Sequence, residues 1–351
     1  MRTEAIKSTA REVLARAYYT SRHYLTRLKG KVLILTYHRI LPEEVLRQNP
    51  AVQAGMYVRS DVFESQIFFL KEHFSVLSFG ELLNFWREKT LSAEKRYCVI
   101  TFDDGWLDNY LYAFPILRRH EIPATIFLPT ALIGTDQWFW PDKLTYFFKR
   151  CFSQSVAEER KESLRVLKNR YPWLKPLSGG QGEPDIDAII EACKGQSPEN
   201  IESLLGEGSR ILGIDFPTER VLMHWGEVGE MSNHRISFGS HSCTHKIFTT
   251  LSIQEVQKEV TASLYTLRNK NINVLPVLAY PNGNYNREII RQVRAAGYEA
   301  AVSTRFGFEG RWSTDCFELK RVGVHHDISS TLPLFSFHIA GGNQFLATSY
   351  E

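Results

Sequence analysis

The 351-residue chain reads as one large α/β domain whose parallel strands close into a distorted barrel. Three observations carry that expectation. Short apolar runs rich in β-branched residues alternate with helix-patterned stretches, the signature of βα units. The two stretches that hold most of the reactive side chains, 101–106 and 236–245, each close such a run, and barrels keep their chemistry at the carboxyl ends of strands. Composition is that of an ordinary globular protein, 43% hydrophobic and 23% charged, which allows a large buried core and excludes a disordered chain.

Residues 1–30 form an N-terminal basic amphipathic helix. Ile6, Ala10, Val13, Leu14, Ala17, Tyr18, Leu25 and Leu28 recur at helical spacing among seven Lys/Arg and two Glu. Arginines interrupt it throughout, so it lacks the apolar stretch of a secretory signal, and no other run reaches membrane-spanning length. Such a helix either packs on the domain or lies, through residues 1–29, on an anionic membrane face. The expected location is therefore cytoplasmic, with peripheral contact at the inner membrane face as the alternative. The net charge of +3 is concentrated in this helix and leaves the remainder slightly acidic, which argues against a nucleic-acid partner. Five cysteines, Cys98, Cys151, Cys193, Cys243 and Cys316, show no paired spacing and read as reduced thiols.

The remaining elements follow in order. Residues 31–38 are a strand that ends in His38. Residues 61–70 open a helix capped by Ser60 or Asp61, with Phe63, Ile67 and Leu70 on one face. A short strand over 75–78 and a helix over 79–89 lead to the strand 97–100, a helix over 108–119 and the strand 124–128. From about 143 to 220 the pattern is charged and mainly helical, broken by the Pro/Gly-rich stretch 176–184, and holds no chemical motif. It reads as a helical insertion, a wall or lid, with Asp142 capping its first helix. A short helix from Trp225 leads to the strand 236–240. The helix 252–270 has Ser252 as N-cap and Glu255 in capping-box position. Strand 274–280 ends in Pro281-Asn282-Gly283. A helix over 286–296, a strand over 297–303 and a last strand over 317–324 complete the pattern, followed by His325-His326-Asp327.

The chemistry gathers in Thr101-Phe102-Asp103-Asp104-Gly105-Trp106 and His241-Ser242-Cys243-Thr244-His245. Neighbouring side chains on a strand point to opposite faces, so two adjacent carboxylates share a pocket only if the backbone turns, and Gly105 makes that turn cheap. Alone, the first stretch also fits a β-turn or helix cap. Two histidines four apart share a face if the chain coils there, yet alone they also fit two solvated loop residues. Cys243, between them, reads as a small filler in place of a ligand.

Together the two stretches resemble the polysaccharide deacetylase family, carbohydrate esterases that share the NodB homology domain. Thr-Phe-Asp-Asp-Gly is that family's first motif almost letter for letter, and His241 to His245 fits its His-Ser/Thr-x-x-His second motif. The resemblance covers roughly residues 31–325 and marks 31–351 as the catalytic domain. It implies a (β/α) barrel of about seven strands. It also implies that Asp104, His241 and His245 bind a divalent metal, usually Zn2+, with Asp103 as general base. The family's general-acid histidine lies in a Leu-x-x-His motif after the last strand. Leu35-Thr36-Tyr37-His38 has that pattern at the other end of the chain, as in circularly permuted branches, so His38 is the expected acid and His325 or His326 the competitors. In the third motif, Arg-x-Phe-Arg-x-Pro, both arginines are replaced, by Pro276 and Ala279. Arg321 is the candidate to hold Asp103 in their place. The Asn282 N–H is the expected oxyanion donor, and Trp140, Tyr280 and Pro281 are expected to contact substrate. Trp138, Phe139 and Trp140 would either stack on sugar rings or plug the barrel.

The residues make chemical sense without the family. Two imidazoles and one carboxylate leave a zinc ion open positions, and a free carboxylate beside it can take a proton from attacking water. The same ligand set suits non-haem iron oxygenases; the second acid favours hydrolysis. The expected activity is removal of an N-acetyl group from an amino sugar of a polysaccharide or glycolipid precursor. Its rivals are a deformylase or other amide hydrolase of the same fold, and a non-catalytic carbohydrate-binding module on a degenerate deacetylase scaffold.

Overall fold

A computed structural model describes residues 2–49, 52–152, 157–174, 186–313 and 315–344. Its strands are β1 Val32–Tyr37, β2 Arg39–Leu41, β3 Tyr57–Arg59, β4 Ser75–Val76, β5 Tyr97–Phe102, β6 Ala124–Leu128, β7 Ile236–Ser240, β8 Val274–Ala279, β9 Ala300–Phe306 and β10 Leu319–Gly323. All the pairings between them are parallel. β5, β6, β7, β8, β9, β10 and β1 form a ring that closes through β1 pairing with β5, so the expected distorted (β/α) barrel of seven strands is what the chain builds. β4 extends β5 outside the ring, and β2 pairs with β3 alone. The strand that comes first in the chain therefore lies between the last strand and the one that carries the paired acids.

Strands buried on both faces read as unbroken apolar runs, and β1, β5 and β6 are buried at every residue. Alternate residues sort to two sides. Leu33, Leu35, Cys98, Ile100 and Ile126 pack with the surrounding helices. Val32, Ile34, Val99, Phe127, Val277 and Val302 form the inner cluster, joined by Phe79, Leu82 and Trp86 of the helix Phe79–Glu88. Gly239 on β7 is required by that interior: a Cβ there would lie 2.6 Å from the Phe127 ring and 2.7 Å from the Val277 carbonyl oxygen.

Several boundaries differ from expectation. The N-terminal segment is two helices, Arg2–Thr20 and His23–Arg27, because Arg22 adopts left-handed backbone with φ 53°. It packs on the domain: the Tyr18 ring meets Phe337 at 5.6 Å, Arg11 donates to the Asp327 carbonyl at 2.9 Å, and Tyr24 and Leu28 are buried. Val13 and Leu14 face outward. No described helix is long and apolar enough to cross a membrane. Neither Ser60 nor Asp61 caps the helix Ser60–His73. Arg59 holds the cap position without a side-chain bond to the helix's free N–H groups, and Asp61 sits in the first turn, paired with Arg59. β9 starts three residues later than expected, because Gly297, at φ 92°, and Tyr298 still belong to the turn that ends the preceding helix.

The chain forms two compact units. The barrel unit takes residues 1–47, 54–134 and 222–351, and a helical unit takes 48–53 and 135–221. Its helices Trp140–Phe152, Ala157–Arg170, Ile186–Lys194 and Pro198–Leu212 surround a core of Phe147, Phe148, Cys193 and Leu204. Asp142 lies inside the first turn of the first helix and does not cap it from outside. The stretch 176–184 falls outside the described residues.

Candidate active site and metal centre

The paired acids follow β5, and the backbone turn they require is present. Asp103 donates its N–H to the Tyr37 carbonyl at 3.0 Å, continuing the pairing of β5 with β1. Asp104 and Gly105 then turn left-handed, at φ 74° and 68°. Glycine suits the second position because its left-handed φ strains other residues, and a Cβ there would also press on the ends of the Leu128 and Ile133 side chains, at 2.8 and 2.9 Å. This reversal lets both carboxylates reach the same end of the barrel.

The second cluster follows β7. His241 has its Nδ1 2.8 Å from the Ala279 carbonyl oxygen, which can only accept, so Nδ1 carries the proton and the Nε2 lone pair is free to bind a cation. The loop to His245 is wrapped around Glu259, whose carboxylate accepts from the N–H groups of Cys243 and Thr244 at 2.9 and 2.8 Å and from the Thr244 hydroxyl at 2.6 Å. Ser242 accepts the His245 N–H at 2.8 Å, and His245 takes φ 62°. The coil places the two rings 4.8 Å apart.

Asp104 Oδ1 lies 3.3 Å from His241 Nε2 and 3.2 Å from His245 Nε2. One ligand atom from each of the three residues lies within 4.8 Å of the others, the only such group of three or more among the described residues. This donor set fits a divalent cation with open coordination positions. Cys243 is not in it. Burial opposes ionisation of Asp104, but without a cation hydrogen bonds from His241 and His245 in their protonated form outweigh it and hold the carboxyl well below the ordinary carboxylate range.

Asp103 stands apart from the cluster. Arg321 on β10 donates to it with both terminal nitrogens, Nη1 to Oδ1 and Nη2 to Oδ2, each at 2.7 Å. Arg321 is itself held by the Ser303 carbonyl and the Thr36 hydroxyl, at 2.9 and 3.0 Å, and is 1% exposed. Burial pushes the Asp103 carboxyl up. Arg321, then His241 and His38, outweigh that and keep it below its usual range, so it is an anion at neutral pH. The arginines missing at Pro276 and Ala279 thus have a counterpart from another strand.

His38 directly follows β1, half-buried, with its carbonyl accepting from the Asn109 side chain at 2.7 Å. Desolvation dominates and lowers its pKa, against the opposing pull of Asp104 and Asp103. The competing histidines have other surroundings. His325 pairs with Asp327, and His326 stacks on Tyr57 at 5.4 Å in a field set by Arg59, Asp61 and Asp327. Asn282 is the left-handed middle residue, φ 56°, of the one-turn helix Pro281–Gly283, which the Gly283 N–H closes by donating to the Tyr280 carbonyl at 2.7 Å.

Two expected substrate contacts need correction. Tyr280 is fully buried, its ring stacked on Tyr285 at 4.9 Å and its hydroxyl donating to the Phe317 carbonyl at 3.0 Å, and Pro281 is buried too. Neither offers a ring face to a sugar. Trp140 begins the first helix of the helical unit and packs partly buried on that unit's own core, while Trp138 donates to the Glu219 carbonyl at 2.9 Å.

Sequence reasoning passed over one chain of contacts. The Trp106 indole N–H donates to Asp104 Oδ2 at 3.0 Å, so that oxygen is occupied and Oδ1 alone faces the histidines. The Arg39 guanidinium lies 4.3 Å above the Trp106 ring and is paired with Asp108 at 2.8 Å. Trp106 and Arg39 adjoin the motif residues in sequence, the one signal available; that they meet is a tertiary fact. Trp106→Phe should keep the fold but weaken divalent-cation binding by about 10- to 100-fold, the usual effect of losing a bond that orients a ligand. Calorimetric titration of the variant would test this, and unchanged affinity would remove Trp106 from the role.

Comparison with known proteins adds to this geometry. A family model described as Polysaccharide deacetylase matches residues 90–162 and 216–301, which contain both motifs. The Bacillus subtilis protein YxkH, which carries the name of a polysaccharide deacetylase, is 23% identical over 89% of this chain and 78% of its own length. The poly-beta-1,6-N-acetyl-D-glucosamine N-deacetylase of Staphylococcus epidermidis is 35% identical over 31% of this chain, a match that spans 40% of that enzyme. In fold, the chain is similar to the Streptococcus pyogenes deacetylase PplD, solved with acetate: TM-score 0.53 and 19% identity, covering 85% of this chain and 94% of that one.

Proposed function

Because the chain belongs to the polysaccharide deacetylase family, we propose that it hydrolyses the N-acetyl group of an amino sugar in a polysaccharide or glycolipid precursor. The observation that carries the reading is the division of labour between adjacent acids. Asp104 joins His241 and His245 in a cation-binding cluster, and Asp103 is kept out of it by two bonds to Arg321.

Asp104, His241 and His245 would hold a divalent cation, with zinc the best match to two imidazoles and one carboxylate. Such an ion acidifies water and polarises an acyl oxygen. Asp103, ionised and buried, takes the proton as water oxygen attacks the acyl carbon. The Asn282 N–H would donate to the oxygen on which negative charge develops. As the carbon–nitrogen bond breaks, His38 gives its proton to the leaving amine, and acetate and a free amino sugar result. Arg321 fixes the orientation of the base, and Trp106 that of Asp104.

The test is a substrate panel. The protein loaded with Zn2+ should release acetate from oligomers of β-1,6- or β-1,4-linked N-acetylglucosamine, lose that activity on chelation and regain it when the metal is restored. The same panel carried in N-formyl form separates acetate from formate release. Acetate from none of the N-acetyl substrates, with the cation bound, would overturn the reading.

A further inference from the structure

Beside the Asn282 turn, the barrel rim holds a cavity of about 650 Å³ lined by Asn284, Tyr285, Asn286, Arg287, Arg305 and Glu318, among others. That volume accommodates a small saccharide. Part of the lining comes from the carboxyl ends of neighbouring strands, since the loop after β8 supplies 284–287 and Arg305 lies near the end of β9, while Glu318 immediately precedes β10. The wall is organised. Arg305 donates to the Tyr285 hydroxyl at 3.1 Å, and the Tyr285 ring is stacked on buried Tyr280.

The charge on this wall is unspent. Other arginines of the barrel unit are committed to carboxylates: Arg291 to Glu288, Arg294 to Asp315 at 2.8 Å and Arg87 to Glu299 at 3.3 Å. Among the described residues, Arg287 and Arg305 have no carboxylate within ion-pair distance. Glu318, the single acid on the wall, and Glu309 both act on Arg305, which leaves Arg287 as the uncompensated charge of the cavity. Guanidinium groups with free donors, amide side chains and an aromatic ring make a surface suited to a sugar that bears anionic oxygens.

We propose that this cavity binds an anionic group of the substrate, a carboxylate or phosphate borne close to the acylated sugar, with Arg287 and Arg305 as its counter-charges. The inference rests on the deacetylase reading and narrows it, since a neutral N-acetylglucosamine polymer leaves both guanidinium groups unused. The anionic group would fix the glycan's register relative to Asn282, one turn away.

Binding of three probes to the full-length, zinc-loaded protein tests this without turnover. Hyaluronan tetrasaccharide supplies carboxylates, UDP-N-acetylglucosamine supplies phosphates, and chitotetraose is neutral. At low ionic strength, one anionic probe should bind about tenfold or more tighter than chitotetraose, and which one it is identifies the anion. Added salt should erase the gap. Arg287→Gln with Arg305→Gln should lose it as well; Arg305→Gln alone, with its unfolding midpoint checked, serves if the double variant fails to fold. Equal affinity for all three probes, or a gap that survives both salt and substitution, overturns the proposal. Acetate release from the same acetylated probes is scored separately. A binding gap with no release from any acetylated substrate would leave the cavity assignment standing and remove the deacetylase reading, and release with no gap would do the reverse.

Discussion

Asp103→Asn should keep its divalent cation at wild-type stoichiometry while acetate release falls by about 10²- to 10⁴-fold, the range expected for loss of a general base. The expectation follows from where the two acids point. Asp104 Oδ1 faces both histidines, whereas both Asp103 oxygens are engaged by Arg321. The amide retains one acceptor toward Arg321 and presents its NH2 to the other donor, so part of the cost will appear as a lower unfolding midpoint and not as lost cation. His241→Ala makes the contrast, because it removes an imidazole from the cluster and should abolish cation binding and acetate release together. Cation content by elemental analysis, with acetate assayed on the same preparations, separates the two variants. Full activity in Asp103→Asn would remove this residue as the base.

Arg321→Met should have the largest effect on stability. It takes the counter-charge from a carboxylate that is 2% exposed, and breaking a buried pair on one side typically costs about 3–5 kcal/mol. The cost has a pH signature. In the wild type, Asp103 has a folded-state pKa below its unfolded value, so the stabilisation it gives is present above the ordinary carboxylate range and is lost as pH falls through the folded pKa. Without the guanidinium, burial becomes the dominant influence and the folded-state pKa moves above the unfolded one. The variant then takes up a proton on folding as pH drops, and its deficit relative to wild type should shrink from neutral pH toward the carboxylate range. Urea unfolding at several pH values measures both the size and the slope. A deficit constant across that range would mean that the Arg321 to Asp103 pair is not its source. The acid limb of the activity profile should move to higher pH in the same variant.

Much of the barrel was legible because its signal is local. Strands such as β1 and β5 are continuous apolar runs, and the helix Ile253–Arg268 announces itself through Ser252 and Glu255, which form the capping box. The motif residues could be read because adjacent acids and a four-residue histidine spacing are sequence facts. What stayed hidden depends on tertiary contact. Arg39 and Glu259 act through partners 69 and 16 residues away, and even Trp106, two residues from Asp104, reaches it only because the backbone reverses between them. Tyr280 was misjudged for a related reason: an aromatic residue at a strand's end looks available for stacking, and only packing reveals that Tyr285 and Phe317 have already claimed it. Cap assignments failed where two polar residues competed, as at Ser60 and Asp61, since local propensity ranks both well.

The place of β1 has a consequence for how the protein is made. Translation produces this strand early, yet one of its two neighbours, β10, is among the last of the ring to leave the ribosome. Until then the sheet has an open seam between β10 and β1 with unpaired backbone edges, a template for pairing with other chains. Contacts that join distant parts of a sequence form slowly, so this seam sets the point at which the nascent protein is most exposed to aggregation. His38, carried on the exit of β1, meets its full surroundings only when that seam is sealed.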